Sequence, residues 1–578
     1  MVLLILAVGA VAFALAYRTY GRYLVRLFGM DDAAPTPAHS EGDGRDYHPA
    51  KRAVLFGHHF SSIAGAGPIV GPIFATLVFG WLPAVLWIIL GSIFIGGVHD
   101  FGSLAISVKH RARSIAEVAR GTLSPLASKL LSCFIWLALV YVLAVFLDLT
   151  AATFAPRLPA ALPADKAAAL VARGGGVASA SLIFMVLAVA LGLLTQRGKL
   201  GLGAATAIFV PLLFAGVFVG KALPLSATMV PAINGSAATT WSLLLIVYCF
   251  IASVTPVWIL LQPRDYLSSF LLYACLGGGL VGIALSAFSS APGTTLAYPA
   301  FLGFHADKLG YLFPALFITI ACGACSGFHS VVASGTTSKQ LDRERDARAI
   351  GYGSMLVEGL LALVAVATVA VLAKGAPETR LAPPALFATG LGRFLALLGV
   401  PADVGASFGL LALSTFLLTT LDTATRLGRY VLEELLFGHR EGGKASGGAA
   451  LWLTTAATLA MPCVFALITF RDAAGKAIPA WRVIWPVFGT TNQLLGALAL
   501  MVLSVWLRRS GRNVWVALAP MLLMVAATLV SLVQLCARHG FSLVGIIAGV
   551  LLFLALVLLA EAARCLLLPA RASEARTS

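Results

Sequence analysis

Residues 57–72 read GHHFSSIAGAGPIVGP, and this stretch lies where the chain otherwise continues as an apolar helix. Proline lacks a backbone N–H and glycine tolerates non-helical dihedral angles, so the density of both predicts that the helix is interrupted at Gly65 to Pro68. Such an interruption at membrane depth leaves backbone amides and carbonyls free to contact a ligand. The alternative is a continuous helix whose small residues, spaced four apart, allow close packing. The broken helix is favoured, because close packing alone does not require Pro68 and Pro72.

The composition extends this prediction to the whole chain. Of its 578 residues, 60% are apolar and 11% are charged, and the mean hydropathy is +0.94. Soluble domains carry about 25% charged residues. Apolar stretches of about 20 residues, long enough to cross a ~30 Å hydrocarbon core, recur and predict an all-α polytopic membrane protein of about fifteen transmembrane helices. The predicted spans are 2–17 extending toward Phe28, 60–79, 82–107, 128–149, 177–195, 201–220, 241–261, 267–289, 311–336, 350–373, 404–425, 450–470, 483–507, 514–535 and 541–566.

The formal charge of +16 is explained by the position of the basic residues. Most of the 40 Lys and Arg residues fall in alternate loops, as the positive-inside rule requires. No basic run alternates with exposed aromatic residues, so the sequence predicts a lipid bilayer and no nucleic acid as a partner. The odd number of spans then places the N-terminus outside and the C-terminus in the cytoplasm.

The eight cysteines are scattered without the spacing of a disulfide framework. Cys322 and Cys325 form a C-x-x-C inside a predicted span, where two small buried residues are favoured over a redox or zinc site. The sequence therefore predicts no catalytic residue set, no metal site and no cofactor apart from a coupling ion, H⁺ or Na⁺. The oligomeric state is left open.

Polar side chains inside the predicted spans are candidates for ion or proton coupling, because they are costly in hydrocarbon. They are His58, His59, Asp100, Ser326, His329, Ser330, Ser334 and Asp422. For Asp422 the structural alternative is an i, i+4 ion pair with Arg426, and for the histidines it is hydrogen bonding within the core. Zinc or iron is a lesser alternative, because adjacent histidines on a helix point about 100° apart and do not readily share one metal.

A second interruption is predicted at Thr255–Pro256. If the span at 60–79 opens one repeat of five helices, the next five begin at 241–261, and the two openings cross in opposite directions. This is the arrangement of an inverted repeat. The predicted division is a first helix with a cytoplasmic linker at 1–59, a ten-helix transport core at 60–425 and accessory helices at 426–578.

Several long blocks resemble, in order, the sequence signatures of the carbon starvation protein family. They are RDYHPAKRAVLFGHHFSSIAGAGPIVGP at 45–72, DFGSLAISVKHRARSIAEV at 100–118, PVWILLQPRDYLSSF at 256–270, CGACSGFHSVVASGTTSKQL at 322–341, TTLDTATRLGRYVLEELL at 419–436 and WPVFGTTNQLLGALAL at 485–500. One departure is His99, where the family pattern leads us to expect Gln before the aspartate.

The resemblance implies a secondary carrier of the bacterial inner membrane, related to the amino acid–polyamine–organocation superfamily. Its core is expected to be LeuT-like, with two inverted five-helix repeats. In that fold the first, sixth and eighth core helices surround the substrate and the ion, and the corresponding predicted spans are 60–79, 241–261 and 311–336.

The expected function is therefore secondary active import of small peptides or pyruvate-like carboxylates by alternating access. The substrate is expected at Ser61, Ser62, Gly65, Ala66, Gly67, Thr255 and Pro256. The ion is expected between the unwound segment 62–67 and the serine face of span 311–336. Proton coupling is favoured over sodium, because the histidines and Asp100 supply more titratable groups than a sodium site requires. A membrane metalloenzyme and a nutrient receptor without transport are the alternatives.

Overall fold

The chain is built almost entirely of α-helices, as an apolar chain in lipid must be if its backbone hydrogen bonds are to be satisfied internally. The computed structural model describes residues 1–42, 46–156, 164–196, 198, 200–225, 230–233, 236–289, 294–307, 309–437, 448–471, 477–478 and 480–567. Glu441 to Gly448 is predicted from its composition to be a second linker, and residues 441–447 of it lie outside the described residues, as does the C-terminal Ser578.

The first half of the chain supplies thirteen of the described helices. They are α1 (Val2–Arg18), α2 (Tyr20–Phe28), α3 (Pro37–Ser40), α4 (Arg52–Ile63), α5 (Gly67–Phe79), α6 (Trp81–Gly91), α7 (Gly97–Lys109), α8 (Ile115–Thr122), α9 (Pro125–Phe154), α10 (Ala164–Gln196), α11 (Leu202–Ala222), α12 (Ala237–Val254) and α13 (Leu261–Ser286). A π-helical turn at Ser92–Gly96 joins α6 to α7.

The second half supplies the remaining described helices and two small hairpins. The helices are α14 (Leu312–Thr319), α15 (Cys322–Cys325), α16 (Gly327–Val332), α17 (Ser354–Ala370), α18 (Pro383–Ala396), α19 (Ala402–Phe437), α20 (Gly448–Leu467), α21 (Ala480–Arg509), α22 (Trp515–His539) and α23 (Leu543–Leu567). The π-helical turns are Ala333–Thr337 and Arg348–Gly353, and the 3-10 turns are Glu344–Asp346 and Pro377–Arg380. The strands form antiparallel pairs, β1 (His305–Ala306) with β2 (Gly310–Tyr311) and β3 (Phe470–Arg471) with β4 (Ala477–Ile478).

The structure confirms an all-α polytopic membrane protein. Each of the fifteen predicted spans coincides with a helix or with a broken helical segment. In the described part of the chain, thirteen helices are long and apolar enough to cross a membrane, and a fourteenth span is added if the bent pair α4–α5 crosses as one. The predicted number is larger because it includes 311–336, which the structure divides into pieces too short to pass this test.

The spans are buried to very different extents, with α17 and α21 at the centre and the first and last spans facing outward. The most apolar windows of Val483–Arg509 and Glu344–Ala370 are 94% and 89% buried, compared with 28% for Val2–Phe28 and Val544–Leu567. Helices α9 and α19 pack on each other in the middle of the bundle, and α19 also packs on α4.

The glycine-rich stretch is interrupted, as its composition predicts. Helix α4 ends at Ile63, α5 begins at Gly67, and the two axes differ by 42°. The break covers Ala64–Ala66 and does not extend to Pro68, which sits in the first turn of α5. A proline is tolerated there because the first-turn amides of a helix lack partners in any case.

Two other predictions about interruptions are wrong. The span predicted at 311–336 is not continuous, because it breaks after Thr319 and again at Ser326 before its π-helical end. The predicted break at Thr255–Pro256 is instead the end of α12, followed by a turn into α13. Thr255 is extended, with ψ of 141°, as expected for a residue that precedes proline.

The two broken segments are followed by the same order of elements. After α4–α5 come a span with a π-helical turn (α6–α7), a short helix (α8) and a long central helix (α9). After α14–α16 come a π-helical turn leading into α17, a short helix (α18) and the long central α19. The two series of elements therefore correspond from Arg52 and from Leu312 onward. The inverted five-plus-five core, with its second five helices beginning at 241–261, and the division at 59 and 425 stay predictions.

Candidate functional site

The break between α4 and α5 lies against the middle of α19. The Thr419 hydroxyl donates to the carbonyl of Ser61 at 2.9 Å, and the Thr420 hydroxyl donates to the carbonyl of Ser62 at 3.3 Å. The hydroxyl groups of Ser62 and Thr423 are 3.2 Å apart. Hydroxyl groups of α19 therefore replace part of the hydrogen bonding that the helix loses where it ends.

The two broken segments also touch each other. A Cβ atom added at Gly67 would lie 2.2 Å from Cβ of Cys322, and one added at Gly71 would lie 2.3 Å from the Thr319 carbonyl oxygen. Both distances are shorter than any van der Waals contact, so a side chain at either glycine would force the two segments apart. The glycines therefore serve close packing as well as the break, so the two interpretations of 57–72 hold together.

A first group of buried polar side chains, here named the arginine cluster, joins α4, α12, α13 and α19. Its members are His58, Tyr248, Arg264, Asp265 and Asp422. The Asp265 carboxylate lies 2.5 Å from His58 Nδ1 through one oxygen and 2.6 Å from an Arg264 nitrogen through the other. Arg264 also forms an ion pair with Asp422 and donates to the Tyr248 hydroxyl at 2.6 Å, and that hydroxyl donates to Asp422 at 2.6 Å.

The four ionisable groups of the arginine cluster are fully buried. With neutral His58, one guanidinium faces two carboxylates, so one negative charge is uncompensated. A proton on His58 removes that excess. Uncompensated charge is costly in a low-dielectric interior.

Asp422 forms a structural ion pair, but its partner is not Arg426 as the alternative interpretation predicted. Asp422 pairs with Arg264, whereas Arg426 pairs with Asp46 of the linker at 3.1 Å. Arg426 also donates to the carbonyls of Ala252 and Thr255. Thr255 thus lies at the end of α12 with Arg426, and the substrate site predicted at the break and at Thr255–Pro256 stays a prediction.

A second buried group, here named the histidine cluster, contains His99, Asp100, His329 and Glu358. The Asp100 carboxylate lies 2.6 Å from His99 Nδ1 and 3.0 Å from His329 Nδ1, and His329 Nε2 is 3.4 Å from Glu358. Within the described residues, neither Glu358 oxygen has a hydrogen-bond partner. His329 therefore lies between two carboxylates and makes a hydrogen bond with Asp100 but not with Glu358.

His59 belongs to neither cluster by direct contact. Its Nδ1 lies 2.8 Å from the Thr337 hydroxyl, and its Nε2 has no hydrogen-bond partner among the described residues. The described part of the chain contains no group of three or more His, Cys, Asp or Glu side chains arranged to hold a metal ion.

The ion site on the serine face of span 311–336 stays a prediction, and the structure gives the contacts of its hydroxyl groups. The Ser326 hydroxyl lies 3.2 Å from Asn492 on α21, Ser330 donates to the Gly327 carbonyl at 2.6 Å, and Ser334 donates to the Ser330 carbonyl at 2.8 Å. Ser334 Oγ also accepts from the backbone N–H of Ile115 in α8 at 3.2 Å. The hydroxyl groups of Thr419, Thr420 and Thr423 on α19 contact α4 next to the break.

Sequence reasoning missed four members of the clusters: Tyr248, Arg264, Asp265 and Glu358. Glu358 lies inside a predicted span, so the rule that flagged Asp100 could have found it. Arg264 and Asp265 fell between two predicted spans and looked like loop residues, although both are fully buried in α13. Their ion pairs with residues of α4 and α19 cannot be predicted from a single sequence, because they depend on which helices pack together.

Comparison with known proteins agrees with the resemblance. The sequence model of the family described as Carbon starvation protein CstA matches residues 1–385 and 376–531. A peptide transporter CstA from Campylobacter jejuni is 32% identical, with 92% of this chain and 80% of the relative covered. The pyruvate/proton symporter BtsT of Escherichia coli is 30% identical, with 89% of this chain and 79% of that one covered.

Among solved structures, a manganese transporter from Eremococcus coleocola superposes with a TM-score of 0.47 at 14% identity. The superposition covers 91% of this chain and 98% of that chain.

Proposed function

The chain belongs to the carbon starvation protein CstA family, and from that membership we propose that it imports small peptides or pyruvate-like carboxylates together with protons. It is a multi-pass membrane transporter and not an enzyme, as the names of its relatives indicate. Beyond this general function, we propose the class of solute, the coupling ion and transport by alternating access across the bacterial inner membrane.

The observation that carries the proposal is the position of His58 between the break and the arginine cluster. His58 lies in α4, five residues before the helix ends, and touches Asp265. Because α4 and α5 are separate helices, α4 can move without α5. A proton on His58 changes the charge of the contact between α4 and α13, so protonation and movement of α4 are coupled.

The proposal places the substrate carboxylate at the start of α5, where two backbone amides are available to donate. The amides of Ala66 and Gly67 make no hydrogen bond within the described part of the chain. A helix N-terminus carries a positive partial charge that favours anions. Peptides and pyruvate both present a carboxylate, so the same amides suit either solute.

The proposal is tested by uptake of radiolabelled pyruvate and of a dipeptide into proteoliposomes under an imposed proton or sodium gradient. We expect an inward proton gradient to drive accumulation of one of the two solutes. The His58→Gln variant should lose the response to the gradient, because glutamine keeps a hydrogen bond but does not titrate. The control His539→Gln, at the end of α22, should keep it. An unchanged gradient response in His58→Gln would overturn the assignment of the proton to His58.

Sodium coupling is the second candidate, and the contacts of α19 favour it. The Ser61 and Ser62 carbonyls and the hydroxyls of Thr419, Thr420 and Thr423 bring neutral oxygens together at the break. Unwound carbonyls hold sodium in many carriers. Uptake driven by a sodium gradient and lost in Thr420→Val, with the proton gradient ineffective, would establish this candidate.

A further inference from the structure

An arginine-lined pocket opens at the polar end of the first span, away from both clusters. It has a volume of about 590 Å³, and its lining includes Arg22, Arg26, Arg345 and Arg348. The one carboxylate of the lining is Asp31. Four guanidinium groups therefore face one pocket with a single acidic side chain to balance them.

Internal contacts leave most of this charge available. Arg345 lies 3.7 Å from Asp31, with both side chains about two-thirds exposed, and such an exposed pair is weak. Arg348 stacks over the ring of Tyr17 at 4.7 Å. Arg22 and Arg26 are exposed and form no ion pair in the described part of the chain.

The lipid-facing surface of the first span leads directly to the pocket. Its exposed apolar side chains are Leu4, Val8, Val11 and Leu15, each more than half exposed. They recur at intervals of four, three and four residues, which keeps them on one face of a helix. Arg22 and Arg26 follow Leu15 by seven and eleven residues and so continue the same face, because hydrogen bonds from Thr19 to Leu15 and from Tyr23 to Thr19 carry the helix through.

We propose that this pocket binds the phosphate of an anionic phospholipid whose acyl chains lie along the exposed face of α1. Arg22 lies seven residues after Leu15, which corresponds to about 10 Å along the helix axis. This distance is comparable with the thickness of the headgroup layer of a bilayer. One guanidinium group can donate two hydrogen bonds to two oxygens of the same phosphate. Basic pockets at the ends of membrane helices bind anionic headgroups. Free phosphate would satisfy the arginines equally, but the continuous apolar face points to a lipid.

The test uses the full chain, purified in detergent, with lipid binding followed by native mass spectrometry. Cardiolipin and phosphatidylglycerol are the anionic probes, and phosphatidylethanolamine and inorganic phosphate are the comparisons. We expect the anionic lipids to be retained and the other two not. The double variant Arg22→Gln with Arg26→Gln should weaken retention by about tenfold or more, because each lost charged hydrogen bond costs about that factor.

The control double variant is Arg508→Gln with Arg564→Gln, which removes two exposed arginines from other helix ends and should bind lipid as the wild type does. A charge-keeping variant, Arg22→Lys with Arg26→Lys, guards against a folding defect and should lose less than the glutamine variant. Three results would overturn the proposal: equal retention of the anionic lipids in the wild type and the glutamine variant, equal retention of phosphatidylethanolamine, or binding of inorganic phosphate without retention of either anionic lipid.

Discussion

Arg264 is the one cation that the described contacts place in the arginine cluster. It pairs with Asp265 and Asp422, and all three side chains are fully buried. A buried ion pair is weak evidence of net stability, because desolvation offsets the attraction. Removing only the cation is different, since two carboxylates are then left in a low-dielectric environment.

We expect Arg264→Gln to lower the free energy of unfolding by about 3–5 kcal/mol. The double variant Arg264→Gln with Asp422→Asn should recover part of this loss, because one of the two uncompensated carboxylates is gone. The measurement is thermal unfolding in detergent. The control is Lys221→Gln, which breaks an exposed pair with Asp403 and should cost at most about 1 kcal/mol. A change for Arg264→Gln no larger than for Lys221→Gln would show that the cluster is solvated.

At the scale of helices, the contact between the two broken segments depends on Gly67. The hydrogen at this position faces Cys322, and a methyl group there would overlap the cysteine side chain. Overpacking of a close contact costs about 1–3 kcal/mol. The same contact joins the two broken segments next to the break. A displacement of either segment is therefore expected to reduce transport.

We therefore expect Gly67→Ala to lose stability by about 1–3 kcal/mol and to lose solute uptake. Cys322→Gly in the same chain should restore part of both, since it removes the atoms that the new methyl group meets. The control is Gly549→Ala in α23, where a Cβ atom meets nothing within 4 Å and where alanine favours the helix. Additive losses in the Gly67→Ala, Cys322→Gly double variant would contradict direct contact between the two segments.

The sequence allowed one of the broken helices to be predicted but not the other. Residues 57–72 combine glycine and proline in one apolar run, so the local chemistry is enough to predict a break. The breaks near Thr319 and Ser326 lie in 315–336, which contains no proline, and they occur where this segment contacts α5 and α21. Pro256 gave a false signal, because a proline also ends a helix at an ordinary connection.

At the scale of the whole molecule, composition was sufficient for the membrane fold and its spans, whereas the site needed tertiary contacts. His58, His59, Asp100, His329 and Asp422 were found as ionisable groups at depth. Their division between two clusters was not, because it depends on which helices pack together. The predicted orientation of the termini stays a prediction.

The linker before α4 ties the first span to the core at one end of the molecule. Asp46 lies 3.1 Å from Arg426 and 3.9 Å from Arg429, both on α19. Ala50 pairs with Leu341, and the Thr36 hydroxyl donates to the Leu341 carbonyl. The linker therefore lies across the ends of α19 and of the second broken segment, and Asp46 supplies its charged contact.

Burial by itself would raise the pKa of Asp46, but Arg429, Arg426 and Lys339 outweigh it and lower the pKa from 3.8 to about 2. A lowered pKa means that the ionised aspartate stabilises the folded state by about 2 kcal/mol at neutral pH. This stabilisation is complete above pH ~4 and disappears as the pH falls toward ~2.

We expect Asp46→Asn to lower the free energy of unfolding by about 2 kcal/mol at pH 7, with the difference from the wild type shrinking between pH ~4 and ~2. The measurement is thermal unfolding in detergent as a function of pH. Asp342→Asn is the control, because its carboxylate is 40% exposed and pairs with His39 at the surface, so its loss should cost at most about 1 kcal/mol. If the Asp46→Asn variant matches the wild type at pH 7, the linker is not held by this ion pair but by its other contacts, such as those of Thr36 and Ala50 with Leu341.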